Sequence, residues 1–444
     1  MSAPGELRRA IALPHATALV VGTIIGASIF VQPSEITSRV PSVAGVLLVW
    51  VAAGALTLSG ALVTAELAST FSRSGGVYVY LTEAFGPPLG FLWGWAMFWS
   101  MHSGIIAAVA VIFARYAGYL IPLGSAGTKA VAIGVILLLS AVNYLGVKQG
   151  SRLQALFTAG KLLAVAAIVV LGFALGGRVE GGAHFVGSAG AVRLSAGDFL
   201  AGLSAGLFAF GGWHMVTYSS EETTAPRTTI PRALALGTAI VTLAYLAMNA
   251  VYLYVLPLDT VAQSTRVAAE LADTLLGTGG GNAISAVVLF STFGALAGII
   301  LTGPRVYLAM ARDGLLFRWL GGIHPRYQTP HRAIALQAIW SSVLVATGTF
   351  RALFTRVVYT EWIFFGLLAI GLMLLRRRPG LVRDYSVWGY PVLPLVFALA
   401  AFLVAVHEIA ANPVATLSGL GLVLAGLPIY YLWARKGLAL KAAE

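Results

Sequence analysis

From residue 13 to residue 435 the sequence is a succession of apolar runs, each near the ~20 residues a helix needs to cross a bilayer. Short polar connections separate them. No water-soluble core absorbs that much apolar surface, so lipid is the expected solvent. Composition agrees, since 59% of the 444 residues are hydrophobic and 10% charged, whereas soluble domains carry about a quarter charged residues. In lipid every backbone polar group needs an internal partner, which selects helices. Spans are expected at about 13–38, 43–70, 86–121, 127–146, 152–176, 197–222, 230–256, 283–312, 331–350, 355–375, 389–410 and 414–435. The reading is an all-α integral membrane protein of 12 transmembrane helices in one domain, 1–444. Stretches at 78–83 and 260–276 read as short helices outside the core.

The net charge of +12 raises a nucleic-acid partner. No basic cluster stands apart from the spans, so that partner is excluded; the cations mark the ends of apolar segments instead. Arg8, Arg9, Lys148, Arg152, Arg305, Arg312, Arg376, Arg377 and Arg378 fall on one side, and a smaller set including Arg39, Arg115, Lys129 and Arg266 on the other. By the positive-inside rule both termini face the cytoplasm of a cell membrane. Arg8 and Arg9 before an apolar run imitate a signal peptide. The run is longer than an h-region and no small-residue cleavage site follows, so it is read as the first span. The chain has no cysteine, which excludes thiolate metal sites and any disulfide-linked partner.

The first and sixth spans share an oddity. Each carries glycines near its middle, as Gly22-Thr23-Ile24-Ile25-Gly26-Ala27-Ser28 and as Phe208-Ala209-Phe210-Gly211-Gly212-Trp213-His214. Interrupted helices at matching positions of two five-helix halves mark the binding site of inverted-repeat transporters. Here the halves run from about 13 to 176 and from about 197 to 375, followed by two further helices at 389–435. Glycines also serve close helix packing, the reading given to Gly86, Gly90 and Gly94 in the third span. A half-helix beginning at mid-bilayer presents free amides and a positive dipole end, which suits a carboxylate. The carbonyls ending the other half suit an ammonium. Two such breaks facing each other hold the backbone of a free amino acid without any charged side chain.

Buried acids are few. Glu66, Glu221 and Glu222 sit near span ends, and Glu361 lies about 7–8 Å inside the tenth span by helix rise. That scarcity argues for a neutral substrate over a cationic amino acid or polyamine. Lys161 is the exception: nine residues beyond Arg152, it lies about 13 Å deep, near the midplane. An ammonium there must meet carbonyls and hydroxyls or lose its proton. It either occupies the place of a bound metal cation and titrates during transport, or plugs the structure permanently.

With these residues in view, the chain resembles the amino acid, polyamine and organocation transporter superfamily, in particular its L-type and bacterial amino-acid permease branch. The resemblance extends over nearly the whole chain. It rests on the two glycine motifs, on Glu221-Glu222 before Pro226-Arg227, on Ile230-Pro231-Arg232-Ala233, on Ser74-Gly75-Gly76-Val77-Tyr78 after Glu66, and on Arg305 with Ala311-Arg312-Asp313-Gly314. It implies a LeuT-like 5+5 inverted repeat with discontinuous first and sixth helices, and sodium-independent exchange of small neutral L-amino acids by alternating access. Ile24, Gly26, Ala27 and Ser28 then face the substrate carboxylate; Phe208, Ala209 and Gly211 offer carbonyls to its amine, and Phe208 is the aromatic gate. Lys161 matches the fifth-span lysine that stands in for sodium, with Gly22 and Ser291 as contacts. Ser28 replaces a usual glycine and narrows the pocket. His214 stands where an asparagine is common; it and Glu361 either line the pocket and respond to pH, or His214 is hydrogen-bonded to a neighbouring helix. In animals the L-type branch is joined to a heavy chain through a cysteine, so no such linked partner is implied here. No cofactor or resident metal is implied, and proton coupling stays open beside exchange.

A different class is raised by Gly202-Leu203-Ser204-Ala205-Gly206, which fits the nucleophile elbow of a serine hydrolase. That elbow needs a strand before its serine, and an apolar helix precedes this one. His407-Glu408 lacks the second histidine of a zinc-protease helix. The glycine run at 277–281 precedes no Gly-Lys-Ser/Thr, so no ATP-driven pump is read. No catalytic residue is assigned.

Overall fold

The computed structural model describes residues 6–26, 28–177, 195–277, 279–348 and 350–441, the side chains at 119–120, 350–358 and 434–441 excepted. Ala27, a candidate site residue, lies outside the described residues. The first half runs α1 (Leu13–Ile24), a 3-10 turn (Ser28–Phe30), α2 (Gln32–Arg39), α3 (Val43–Thr70), α4 (Val77–Phe85) and α5 (Pro87–Ala96). A π-helical turn (Met97–Met101) leads to α6 (His102–Leu120), α7 (Ser125–Tyr144) and α8 (Val147–Gly176). Then come α9 (Ala196–Ala209), a 3-10 segment (Trp213–Glu222), α10 (Pro226–Val255), α11 (Leu258–Gln263), α12 (Val267–Leu276), α13 (Gly280–Thr302) and α14 (Pro304–Arg312). The chain ends in α15 (His331–Thr347), α16 (Phe350–Leu375), α17 (Val392–Ala411), α18 (Pro413–Leu424) and α19 (Gly426–Lys441). Among the described residues there is no strand, only one bridge between Ile11 and Thr223.

Local chemistry sets the helix ends. The Ser42 hydroxyl accepts the Gly45 amide at 3.0 Å and caps α3, while prolines occupy the first turns of α1, α2, α5, α10, α14 and α18. Within the spans, hydroxyls return to their own helix, as Thr57 to the Ala53 carbonyl at 2.8 Å and Thr292 to Val288 at 2.9 Å. Those two hydroxyls are thereby satisfied within apolar surroundings.

Nine helices among the described residues are long and apolar enough to cross a membrane, and Leu13–Ile24 and Tyr359–Leu375 are shorter apolar helices. The faces of α8 say which solvent surrounds them. Its inward face carries Ser151, Gln154, Thr158 and Lys161, all buried, whereas Leu156, Leu163 and Val170 point outward and are 67%, 72% and 65% exposed. Polar inside and leucine outside is the pattern of a helix solvated by lipid. The chain is a multi-pass membrane protein.

One expectation needs correction. The short helix expected outside the core is α4, and its residues 77–81 are all buried. α5 folds back on it, and Gly90 brings the two backbones together against Thr82 and the Tyr78 carbonyl. Likewise α12 buries Val267, Ala268, Ala269, Leu271 and Ala272. Both stretches are too short to span a bilayer, and neither is peripheral.

Close helix approach at Gly237 carries a measurable consequence. A Cβ there stands 2.6 Å from Val20 of α1, whereas one at Gly134 has open space within 4 Å. Gly237→Ala is therefore expected to destabilise the detergent-solubilised protein by about 1–3 kcal/mol, and Gly134→Ala to leave stability level or raise it by up to ~1 kcal/mol. Equal melting temperatures for the two variants exclude this account of the α1–α10 contact.

Candidate functional site

The helix begun at Leu13 stops at Ile24. Ile25 still donates to the Val21 carbonyl at 2.9 Å, but its ψ of 91° turns the chain out of the helix. Winding resumes only at the turn of residues 28–30, so several carbonyls lose their helical partners in the interior. Four of them, those of Gly22, Ile24, Ile25 and Gly26, meet side-chain donors from other helices. Lys161 of α8 donates to the Gly22 and Ile25 carbonyls, both at 2.7 Å. Ser291 of α13 donates to Gly26 at 3.2 Å. The Tyr245 hydroxyl of α10 lies 3.1 Å from the carbonyls of both Ile24 and Ala209.

The second interruption follows the same logic. α9 ends at Ala209, Gly211 donates back to the Phe208 carbonyl at 3.0 Å, and Gly212 takes φ of +97°. That left-handed turn needs glycine, and a Cβ there also stands 3.2 Å from the Thr23 carbonyl. The chain restarts at Trp213 as a 3-10 segment. Thr23 donates to its own Leu19 carbonyl at 2.7 Å and lies 3.2 Å from the Gly212 carbonyl, so the two breaks touch.

Lys161 meets carbonyls as expected, one of them Gly22. Ser291, expected against the ammonium, is found on the Gly26 carbonyl instead, because the broken backbone offers a nearer acceptor; Ile25 is the lysine's second partner. Phe208 keeps 37% exposure and Ser28 is half-buried, while Phe210 is fully buried against Trp50 and Tyr245. The Phe208 carbonyl accepts from the Gly211 amide and the Ala209 carbonyl from the Tyr245 hydroxyl. Glu361 of α16 stands 3.7 Å from Nε2 of His214, too far for a hydrogen bond. Neither ring nitrogen of His214 has a hydrogen-bond partner among the described residues, so the bond expected to a neighbouring helix is not found.

Sequence reading missed Tyr245 and Thr23. A phenol in an otherwise apolar span was the available signal for Tyr245, whereas Thr23 is indistinguishable from any helix threonine until the other break is laid against it.

At one end of the bundle the two interrupted helices are sealed by ion pairs. Arg305 of α14 binds Glu222 through Nε at 2.6 Å and Nη2 at 2.7 Å, and both side chains are wholly buried. Arg312 reaches Glu221 at 2.8 Å, and Arg73 binds Asp313 at 2.7 and 2.8 Å. Tyr78 also donates to Asp313 at 2.6 Å, and burial together with that carboxylate raises its phenol above the ordinary value. The leading segment joins in, with Ala10 and Ile11 donating to the Glu222 carbonyl and Thr224 to that of Ile11.

The arrangement gives two facing helix ends, a fixed internal cation and a closed floor, with no group of metal ligands among the described residues. A family model described as Amino acid permease matches residues 11–428. The serine/threonine exchanger SteT of Bacillus subtilis (strain 168) is 33% identical over 96% of this chain and 97% of its own length. The human b(0,+)-type amino acid transporter 1 is 32% identical over 97% of this chain and 90% of its own length. The human large neutral amino acids transporter small subunit 2 is 32% identical over 96% of this chain and 80% of its own. On the match of nearly its whole length, this chain belongs to the amino acid permease family.

Proposed function

We propose that this permease moves small neutral L-amino acids across the cell membrane by alternating access, exchanging one for another and using no sodium. The reading rests above all on the two helix breaks laid against each other, with Lys161 held on the carbonyls of the first. In it the whole chain is one domain of twelve spans, ten of them a 5+5 inverted repeat, with both termini cytoplasmic. The substrate carboxylate takes the amides around Gly26, Ala27 and Ser28, and the amine takes the carbonyls of Phe208, Ala209 and Gly211. Phe208, still part-exposed, closes the outer path. The Ser28 side chain narrows the cradle, and the name of the Bacillus relative, a serine/threonine exchanger, supports substrates of that size. Lys161 fills the site that a sodium ion otherwise takes, so the first break is held without a bound ion.

The sealed end is then the cytoplasmic floor. Opening it requires Glu222 and Arg305 to part, along with the contacts between residues 10–11 and 222–224. Removing one partner of a buried ion pair costs about 3–5 kcal/mol because the other charge is stranded. That cost falls on the closed state alone once water reaches the open one.

In liposomes, serine or alanine is expected to be taken up saturably and stereoselectively against internal amino acid, without sodium; stronger uptake of arginine sinks the neutral-substrate reading. Lys161→Ala is expected to lose most of that uptake, because the carbonyls of Gly22 and Ile25 are left in the interior without a donor, and wild-type rates in this variant remove its proposed role. Tyr245→Phe strips the hydroxyl from between the breaks, at about 1–3 kcal/mol, and is expected to raise KM for serine; an unchanged KM means that the breaks keep their geometry without it. The absence of cysteine makes the floor testable by labelling: Ser28→Cys combined with Glu222→Gln is expected to react faster with an impermeant thiol reagent from the cytoplasmic side than Ser28→Cys alone. Equal rates place the closure elsewhere.

A further inference from the structure

The connection between α16 and α17, residues 376–391, is rich in arginine and poor in acid: Arg376, Arg377, Arg378 and Arg383 stand against Asp384 alone. It is also fastened along its length. Glu66, wholly buried on α3, binds Arg376 Nε at 2.7 Å and accepts the Val387 amide at 2.6 Å. Ser69 of the same helix donates to the Tyr385 carbonyl at 3.3 Å and accepts the Tyr385 amide at 3.2 Å. Arg227 of α10 reaches Asp384 at 3.4 Å, and the Arg376 guanidinium lies 3.7 Å from the centre of the Tyr390 ring.

Those bonds sort the charges. Arg376 is offset by Glu66 and Asp384 by Arg227, whereas Arg377 and Arg378 are exposed and meet no carboxylate among the described residues. Arg383 gives an N–H to the Arg376 carbonyl at 3.1 Å, a bond that cancels no charge. Arg377, Arg378 and Arg383 are therefore surplus cations on a backbone held in place. Beside them Trp388 is 81% exposed and Val382 66% exposed. A tryptophan left uncovered four residues before a membrane-spanning helix belongs at the level of the lipid headgroups. Arg377 and Arg378 follow directly on the preceding span, which puts them at the same level, and a basic cluster in that position attracts anionic lipid. Arg8 and Arg9 are exposed too, but Leu7 beside them is buried and the acidic Glu6 precedes it, so they lack both the apolar companion and the unmixed charge.

We propose that the α16–α17 connection is a binding surface for an anionic phospholipid, with the headgroup phosphate on Arg377, Arg378 and Arg383 and the glycerol backbone against Trp388. On the proposed orientation the lipid comes from the cytoplasmic leaflet, but its binding does not depend on what the protein transports. Native mass spectrometry of the full chain in detergent, titrated with phosphatidylglycerol or phosphatidylcholine, reads the affinity for each. The wild type is expected to bind phosphatidylglycerol about thirtyfold more tightly, and Arg377→Gln with Arg378→Gln, which gives up the share of two surface cations, to bind the two lipids within about threefold of each other. Both positions are exposed, so this variant is expected to melt at the wild-type temperature without added lipid. Arg8→Gln with Arg9→Gln removes the same charge elsewhere and is expected to keep the wild-type preference. Equal affinity of the wild type for the two lipids overturns the surface. So does a full preference in the Arg377→Gln, Arg378→Gln variant, and so does an equal loss in both double variants, which means diffuse attraction to net charge. Displacement of phosphatidylglycerol by equimolar soluble glycerophosphate makes this a site for free phosphate and overturns the lipid as its occupant.

Discussion

A lysine ammonium held on two carbonyls of an unwound helix is the contact on which the rest of the interior depends. Unwinding a span in the middle of a bilayer frees backbone groups that water cannot reach, and each one left bare costs several kcal/mol. At the break after α1 the carbonyls of Gly22, Ile24, Ile25 and Gly26 are met by Lys161, Tyr245 and Ser291, arriving from three different helices. The lysine is met in turn, since its charge is matched by the dipole of the helix end it binds. Neither α1 nor α8 is tolerable there without the other.

That mutual need ties the local break to global packing. α1 stands against α8, α10 and α13 because those helices carry its donors, and glycines let them come close enough. Gly298 of α13 faces Thr23 and Gln154, and Gly237 of α10 faces Val20. Thr23 then carries the constraint across to the second break at Gly212. The two interruptions are thus parts of one hydrogen-bonded unit spanning almost 200 residues of sequence, and on the proposed reading a substrate between them joins that unit.

The breaks and the buried lysine were legible in the sequence because each departs from its surroundings: glycines within apolar runs, and one cation where helix rise puts the midplane. The direction of the other partners was not. Tyr245 lies 221 positions from Ile24 and 36 from Ala209, and no local pattern says that it bridges them. Glu361 and His214 were both noticed, but their pairing depends on the rotation of α16 against the restarted sixth span. Ser291 was expected on the lysine and found on Gly26, a displacement of one acceptor that backbone geometry alone decides. Residues 77–81 misled because a short helix between spans reads as peripheral, whereas tight folding of α4 onto α5 draws it inward. Helix existence follows from composition; which side chain meets which carbonyl follows from rotation and crossing, which composition does not encode.

A tethered cation also shapes what can drive such a machine. A sodium ion can leave with the substrate and so harness its own gradient, but an ammonium attached to α8 stays with the protein, and on the proposed reading sodium contributes nothing. Energy for concentrating a substrate must then come from another solute that crosses with it or against it. A second amino acid leaving by the same cradle needs no further group, and the Bacillus relative is named an exchanger. A proton does need one, positioned to be dry in the closed state and wet in the open ones. Giving up a proton leaves Lys161 two N–H donors for its two carbonyls but removes the charge that the helix end matches.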